Sequence, residues 1–124
     1  MSFTRGVRGA TTVTKDDPEM VLASTRELLS AMLEANPSMR EEDIASALFT
    51  VTEDIRSVFP ARAARQMGWD NAALMCACEM SVPGSPPFCI WILLHWNTDL
   101  SQEEVNNVYL GEAANLRPDL SERQ

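Results

Sequence analysis

The sequence is poor in lysine, histidine and tyrosine, and it contains no long apolar run. Among 124 residues there is one lysine (Lys15), one histidine (His95) and one tyrosine (Tyr109). The chain has ten basic and eighteen acidic residues and a net charge of −8. The basic residues form no stripe along the sequence, so nucleic acid is not an expected partner. No apolar segment approaches the roughly 20 residues of a membrane span, and the N-terminus lacks a charged-then-apolar signal pattern. We expect no membrane partner either.

Cysteine is also scarce, and its number is odd. Three cysteines give no disulfide framework, which predicts a reducing, cytoplasmic environment. With 45% hydrophobic and 23% charged residues, the composition is that of a globular protein. The length predicts a single domain over residues 1–124, with a frayed polar tail from about residue 118.

Hydrophobic periodicity predicts the element order β, α, β, short α, β, β, α. The predicted elements are a strand over 3–13, a helix from Pro18 to about Asn36, a strand over 44–52 after a turn at 41–43, a short helix from Pro60 to about Met67, strands over 74–80 and 88–96, and a last helix. The capping box at 101–104 is expected to open that helix, with Val105, Val108 and Tyr109 on one face and Leu116 near its end.

Two substantial helices and four or five strands predict an α+β fold, an α/β sandwich with a mixed sheet. Segment 88–96 is nearly all apolar and is expected to be a central strand buried on both faces. Segment 74–80 is expected to be a second inner strand. Two helices on one face would leave the other face of the sheet open, so we expect that face to meet another subunit.

His95 is the only histidine available for nucleophilic catalysis. It lies between Leu94 and Trp96 in an apolar segment, and no nucleophile-elbow signature surrounds any serine or cysteine. The pattern favours a structural histidine, and a Cys–His or Ser–His pair stays open.

A metal site is not expected. Cys76 and Cys78 would share one face of a strand, but zinc needs three or four ligands, usually with two or more residues between paired cysteines. Cys89 and His95 add no recognisable spacing. No phosphate-binding glycine loop is present either.

Nine of the ten basic residues are arginines, and guanidinium groups bind carboxylates in a bidentate manner. Arg62 and Arg65 lie three residues apart on one face of the short predicted helix. Arg8 lies in the first strand, and Arg117 follows the last helix. Each of these arginines, taken alone, is typical of a solvated surface residue. A cluster of them would instead suit a small dianionic ligand. Composition leaves both interpretations open.

Five segments together resemble a known enzyme family. They are RGVRGATTV at 5–13, VFPARAAR at 58–65, CACEM at 76–80, VYL at 108–110 and LRPDL at 116–120. In this order and spacing they resemble the monofunctional bacterial chorismate mutases of the trimeric α/β class, over about residues 3–120.

The resemblance implies a homotrimer with a pseudo-α/β barrel core and three active sites at subunit interfaces. It implies the Claisen rearrangement of chorismate to prephenate, in aromatic amino acid biosynthesis, without cofactor or metal. Such a unimolecular step needs no nucleophile. It requires that a reactive conformer be held and that developing charge be matched by preorganised groups.

The resemblance also implies roles for individual residues. Arg8 corresponds to the arginine that binds the side-chain carboxylate, and Tyr109 to the phenol beside it. Glu79 corresponds to the acceptor for the ring hydroxyl, Cys76 to its polar neighbour, and Phe59 to an apolar wall against the ring. The implied rim and tail residues are Arg62, Arg65, Leu116 and Arg117.

The three-residue separation of Cys76 and Glu79 conflicts with a single regular strand lining one site. Alternate residues of a strand point to opposite faces, so these two side chains would diverge. Either the strand is irregular there, or each residue serves a different pocket at a subunit interface.

Trp91 departs from the family pattern. The strand after the loop usually reads Cys-Ile-Arg in that family, and its arginine contacts the ether oxygen and a carboxylate. Losing one transition-state donor costs about 2.7–4 kcal/mol. Trp91 therefore allows three interpretations: an engineered substitution in an otherwise competent enzyme, a natural enzyme with a relocated cation (Arg62, Arg65 or Arg117), or a non-catalytic trimeric protein that binds a small anion.

Overall fold

A computed structural model of the chain describes residues 2–116. Its elements are β1 (Phe3–Thr12), α1 (Pro18–Ala35), β2 (Ile44–Val51), α2 (Ala61–Gln66), β3 (Ala73–Cys78), β4 (Cys89–Thr98), β5 (Val108–Tyr109) and α3 (Ala113–Leu116), with 3₁₀ turns at Glu41–Asp43 and Gln102–Glu104. The predicted site residue Arg117 and the predicted tail at 118–124 lie outside the described residues.

The strands form one mixed sheet in the order β3-β2-β4-β1-β5. β4 runs antiparallel to both β1 and β2, whereas β2 with β3 and β1 with β5 are parallel pairs. The predicted α+β class and the central position of β4 are confirmed. The prediction that 74–80 is an inner strand is wrong, because among residues 2–116 β3 pairs with β2 alone and forms an edge of the sheet.

The two main helices pack on one face of this sheet. Asp17 caps α1 by accepting a hydrogen bond from the Met20 backbone N–H at 3.1 Å, and Pro18 occupies the first turn. The helix lies directly against β1, since a Cβ atom at Gly9 would stand 2.6 Å from the sulfur of Met32. Glycine at this position lets the side chains of Met32 and Leu28 on α1 pack closely on the strand.

The central strand β4 is buried on one face only. Its helix-facing side chains are fully buried: Ile90, Ile92, Leu94 and Trp96. The alternate side chains are half-buried: Trp91, Leu93 and His95. The expectation of burial on both faces is therefore wrong for the single chain, because α1 and the short helix α2 both cover the same side of the sheet.

The predicted helix after residue 101 does not form. The Ser101–Glu104 capping box is present, but it supports only a single 3₁₀ turn. Asn106 then leaves the helical path, because its backbone N–H and C=O pair with the side chain of Asn36 at the end of α1, both at 2.9 Å. The chain continues extended into β5 instead.

The segment after residue 101 covers the outer edge of β1. The side-chain amide of Gln102 pairs with the backbone N–H and C=O of Gly6, at 3.0 and 2.7 Å. The Asn107 side chain accepts from the Arg8 N–H at 2.8 Å, and β5 then pairs with β1. Unpaired backbone groups along β1 thus compete successfully with helix formation.

Candidate active site

A cavity of about 310 Å³ opens on the face of the sheet that the helices leave uncovered. Its lining includes Arg8, Leu48, Thr50, Glu79, Trp91 and Leu93. Arg8 lies opposite Leu93, and Thr50 lies opposite Trp91, so side chains of three neighbouring strands converge there. We call this the sheet cavity, and it brings together the predicted site residues Arg8, Glu79 and Trp91.

Glu79 is held in the sheet cavity by two contacts. It follows β3 directly, and its backbone N–H donates to the Val51 carbonyl at 2.8 Å, so the ladder with β2 continues one residue further. Its carboxylate accepts a hydrogen bond from the hydroxyl of Thr50. The backbone and the side chain of Glu79 are therefore both oriented by β2.

Tyr109 lies beside the sheet cavity through its contact with Trp91. The two rings meet edge to face, with centroids 6.3 Å apart and planes at 76°. Burial raises the pKa of Tyr109, and the Arg8 guanidinium, by its charge and by a hydrogen bond, offsets part of this rise. The phenol consequently remains a neutral hydrogen-bond donor at neutral pH.

A second cavity of about 580 Å³ follows the edge of β3. It is bounded by β3, the loop after β2 and the first turn of α2, and we call it the groove. Phe59, Arg62 and Cys76, three further predicted site residues, line it. Phe59 is 71% exposed, which is unusual for a large aromatic side chain that serves only its own chain.

As expected from the spacing, the side chains of Cys76 and Glu79 point to different pockets. β3 is regular through Cys78, and Cys76 lines the groove whereas Glu79 lines the sheet cavity. These two cavities have no lining residue in common. The sequence left two explanations open, an irregular strand or two separate pockets, and the geometry agrees with two separate pockets.

Arg65 and Leu116 are the other predicted rim residues within residues 2–116. Arg65 is exposed on α2 and lines neither the sheet cavity nor the groove, because only Arg62 on that helix faces the groove. Leu116 is the last residue of α3.

Sequence reasoning missed Arg56, which lines the groove. No local pattern marks it, because its loop is shaped by Asp16, 40 residues earlier in the chain.

The remaining candidates for catalytic chemistry lie apart from both cavities. His95 contacts Ser46, with 2.9 Å between its Nδ1 and the hydroxyl oxygen, on the uncovered face of the sheet. Cys89 is buried, and this burial, together with the charges of Asp54 and Glu79, raises its pKa to about 11. Its thiol is therefore protonated at neutral pH and a poor nucleophile.

Within residues 2–116, no group of three or more His, Cys, Asp and Glu side chains could hold a metal ion. In the same part of the chain, no helix combines the length and the apolar character needed to cross a membrane.

Taken together, the sheet cavity offers one guanidinium, one carboxylate and one neutral phenol at its margin. A guanidinium binds carboxylates strongly, and a carboxylate accepts from hydroxyl groups. This set of groups suits a small molecule that carries both a carboxylate and a hydroxyl group.

Comparisons with known proteins agree with this chemistry. A family model described as chorismate mutase type I matches residues 4–120. The chorismate mutase AroH of Thermus thermophilus is 53% identical over 120 residues, which cover 97% of this chain and 98% of that protein. AroH of Bacillus subtilis (strain 168) is 41% identical over 118 residues, covering 94% and 92%. The solved structure of a chorismate mutase from Clostridium thermocellum superposes with a TM-score of 0.86 at 46% identity, covering 90% and 98%.

Proposed function

The chain belongs to the chorismate mutase type I family, and from that membership we propose how its two cavities act on the substrate. It is an isomerase of aromatic amino acid biosynthesis that rearranges chorismate to prephenate. The observation that carries this conclusion is the 53% identity to a chorismate mutase over 97% of the chain.

In the proposed mechanism, the sheet cavity holds the reactive conformer of chorismate. Arg8 binds one substrate carboxylate, and Tyr109 donates a hydrogen bond beside it. Glu79, oriented by Thr50, accepts from the ring hydroxyl. Because the rearrangement is unimolecular, these contacts accelerate it by fixing the geometry and by stabilising the charge separation of the transition state.

The groove supplies the other half of each site. Phe59 forms an apolar wall, Arg62 attracts the anionic substrate, and Cys76 adds a polar contact. The family resemblance implies rim roles for Arg65 and Leu116, and for Arg117, which lies outside the described residues.

The site is completed between subunits of a homotrimer. Two cavities without common lining residues are expected if each belongs to a different composite site. The exposed side chains of Phe59, Met75 and Met80, at 71%, 67% and 81%, and the unpaired edge of β3 support an interface along this border. Free thiols at Cys76, Cys78 and Cys89 are consistent with a cytoplasmic enzyme.

A turnover assay tests the function. The purified chain is incubated with chorismate, and prephenate formation is followed by NMR with the uncatalysed reaction as the reference. Prephenate must form faster than in the reference. Binding of chorismate without turnover would overturn the proposal and favour the non-catalytic alternative.

Mixing two damaged chains tests the composite site. Arg8→Gln removes the cation of the sheet cavity, and Phe59→Ala removes the wall of the groove. If the site lies between subunits, co-assembled trimers of both variants regain activity, since about a quarter of the sites then combine two intact halves.

The matched control mixes Arg8→Gln with Glu79→Gln. Both residues line the sheet cavity of one chain, so this mixture contains no intact site and should stay as inactive as its parents. Equal activity of the two mixtures would contradict a site shared between chains.

A further inference from the structure

Arg56 is a second cation in the groove, on the loop between β2 and α2. We propose that Arg56 is a substrate-binding residue that acts with Arg62 to hold a carboxylate of chorismate. This inference rests on the proposed function, and it assigns a contact to a residue outside the segments that carry the family resemblance.

The loop that carries Arg56 is fixed to the segment before α1. The carboxylate of Asp16 accepts hydrogen bonds from the backbone N–H of Arg56 at 2.9 Å and from that of Ser57 at 3.2 Å. It also accepts from the Ser57 hydroxyl at 2.6 Å. These hydrogen bonds lower the pKa of Asp16, so the anchor stays ionised at neutral pH.

The opposite side of the loop is fixed as well. Asp54 accepts from the Thr52 hydroxyl and from the Phe88 backbone N–H, the latter at 3.1 and 3.2 Å to its two oxygens. The buried Ile55 donates its backbone N–H to the Thr52 carbonyl at 3.0 Å. Arg56 therefore projects from an ordered loop, and binding a ligand requires little further ordering of the backbone.

The guanidinium of Arg56 is oriented by its own loop. Its Nε donates to the Glu53 carbonyl at 2.9 Å, which fixes the plane of the group. Within residues 2–116, its two terminal nitrogens make no hydrogen bond, and its charge interacts with the nearby Asp16 carboxylate. A planar fork held in this way can bind a carboxylate through two parallel hydrogen bonds.

Arg56 and Arg62 flank Phe59 at equal sequence distances and line the same groove. Apolar side chains make up much of the wall around them, and Glu53 is the one carboxylate among the lining residues. A positive pair in a partly apolar groove attracts a dianion locally, although the whole chain carries a net charge of −8.

The cations of the sheet cavity do not balance the charge of chorismate. Chorismate carries two carboxylates, and Arg8 is the only cation among the described residues that line the sheet cavity. Where the family resemblance predicts a further arginine, this chain has Trp91, whose indole offers one neutral N–H. The groove, with two arginines, supplies the balancing charge.

Steady-state kinetics of Arg56→Gln test the inference. We expect the KM for chorismate to rise roughly three- to tenfold with kcat within about twofold, because a contact made equally in the ground state and the transition state changes binding alone. Arg56→Lys keeps the positive charge but lacks the planar guanidinium that makes two parallel hydrogen bonds, so it should recover part of the affinity. Added salt should raise the KM of the wild type more than that of Arg56→Gln.

Arg40→Gln is the matched control. Arg40 is also an exposed arginine, but it pairs with Glu42 and lines neither the groove nor the sheet cavity. The control should leave KM unchanged, and circular dichroism should show the native fold in all variants, since the backbone contacts of Arg56 persist.

An Arg56→Gln enzyme with the KM and salt response of the wild type would overturn the inference, as would an equal rise in KM for Arg40→Gln. A fall in kcat at constant KM would also contradict it. Failure of the proposed function would give a different result, because the wild-type chain itself would then form no prephenate.

Discussion

The sheet cavity and the groove hold their side chains by different means. In the sheet cavity, Arg8, Thr50 and Trp91 project from neighbouring strands, and backbone ladders fix their spacing. In the groove, Arg56 and Phe59 project from a loop whose shape depends on carboxylate side chains. One half of the site is therefore built on strand register and the other on side-chain-to-backbone hydrogen bonds.

This difference has a functional consequence. Ladder hydrogen bonds act together across a sheet, so single substitutions leave the positions of the sheet-cavity residues intact and should affect mainly the chemistry. The groove depends on a few anchors, so substitutions there should affect mainly the binding of the substrate.

The largest effect is expected for Arg8→Gln. Loss of this cation should lower kcat/KM by roughly 10²–10³, as is typical when one preorganised transition-state donor is removed. The control is Arg5→Gln on the opposite face of the same strand, where Arg5 contacts Leu100 and the ring of Phe3. Comparable losses for both variants would mean that the effect is structural.

Trp91→Arg is expected to raise kcat, by roughly 10², because it adds a charged donor to the cavity in which negative charge develops. Trp91→Gln separates this effect from the removal of a bulky ring, and it should give a much smaller gain. Turnover in the arginine variant that equals the wild-type rate would show that Trp91 does not limit the enzyme. Stopped-assay measurements of prephenate at saturating chorismate provide the comparison.

Thr50→Val should reduce kcat by about five- to tenfold while the fold is preserved. The substitution removes the hydroxyl that donates to Glu79 but keeps a β-branched shape in the strand. The expected loss is smaller than the about 1.5–3 kcal/mol of a hydrogen bond to a charged group, because Glu79 remains in the sheet cavity and its backbone stays paired with β2. Thr50→Ser retains the hydroxyl and should restore the rate. If the serine variant is as slow as the valine variant, Thr50 does not act through Glu79.

The smallest effect is expected for Asp16→Asn in the anchor of the groove. KM should rise about two- to threefold at unchanged kcat, since a weaker neutral acceptor replaces the carboxylate. The pKa of Asp16 lies below its ordinary value of 3.8 in the folded chain, so its contribution is complete above pH 3.8 and is lost as the pH falls through the lowered value.

Amide hydrogen exchange at Arg56 and Ser57 checks this behaviour. Protection should decline in acid for the wild type, whereas it should be low at every pH for Asp16→Asn. Equal protection in both proteins would show that Asp16 does not order the loop.

Residue periodicity predicts which faces the strand residues occupy, but it misplaces β3 as an inner strand and predicts burial of β4 on both faces. The three-residue spacing of Cys76 and Glu79 predicted their divergence, and Cys76 and Glu79 line separate cavities. This result depends only on the period of a strand, which is a local property.

The parts that periodicity missed depend on long-range partners. The helix predicted after residue 101 failed because Gln102 and Asn107 satisfy backbone groups of β1 almost 100 residues earlier. Arg56 was missed because its loop is shaped by Asp16, 40 residues before it. No local pattern contains these partners, so only the folded chain reveals them.

The side-chain pairing of Gln102 with Gly6 also bears on the solubility of the protein. An edge strand with open backbone groups can recruit another chain and propagate into a fibre. Gln102, Asn107 and the two-residue β5 blunt the β1 border, whereas β3 has no strand partner on its outer side within residues 2–116. Growth of a fibre by strand addition requires two edge strands with unpaired backbone groups on every molecule. Because the β1 border is blunted by Gln102, Asn107 and β5, strand-to-strand addition is favoured at the β3 border, and repeated growth through both borders of the sheet is disfavoured.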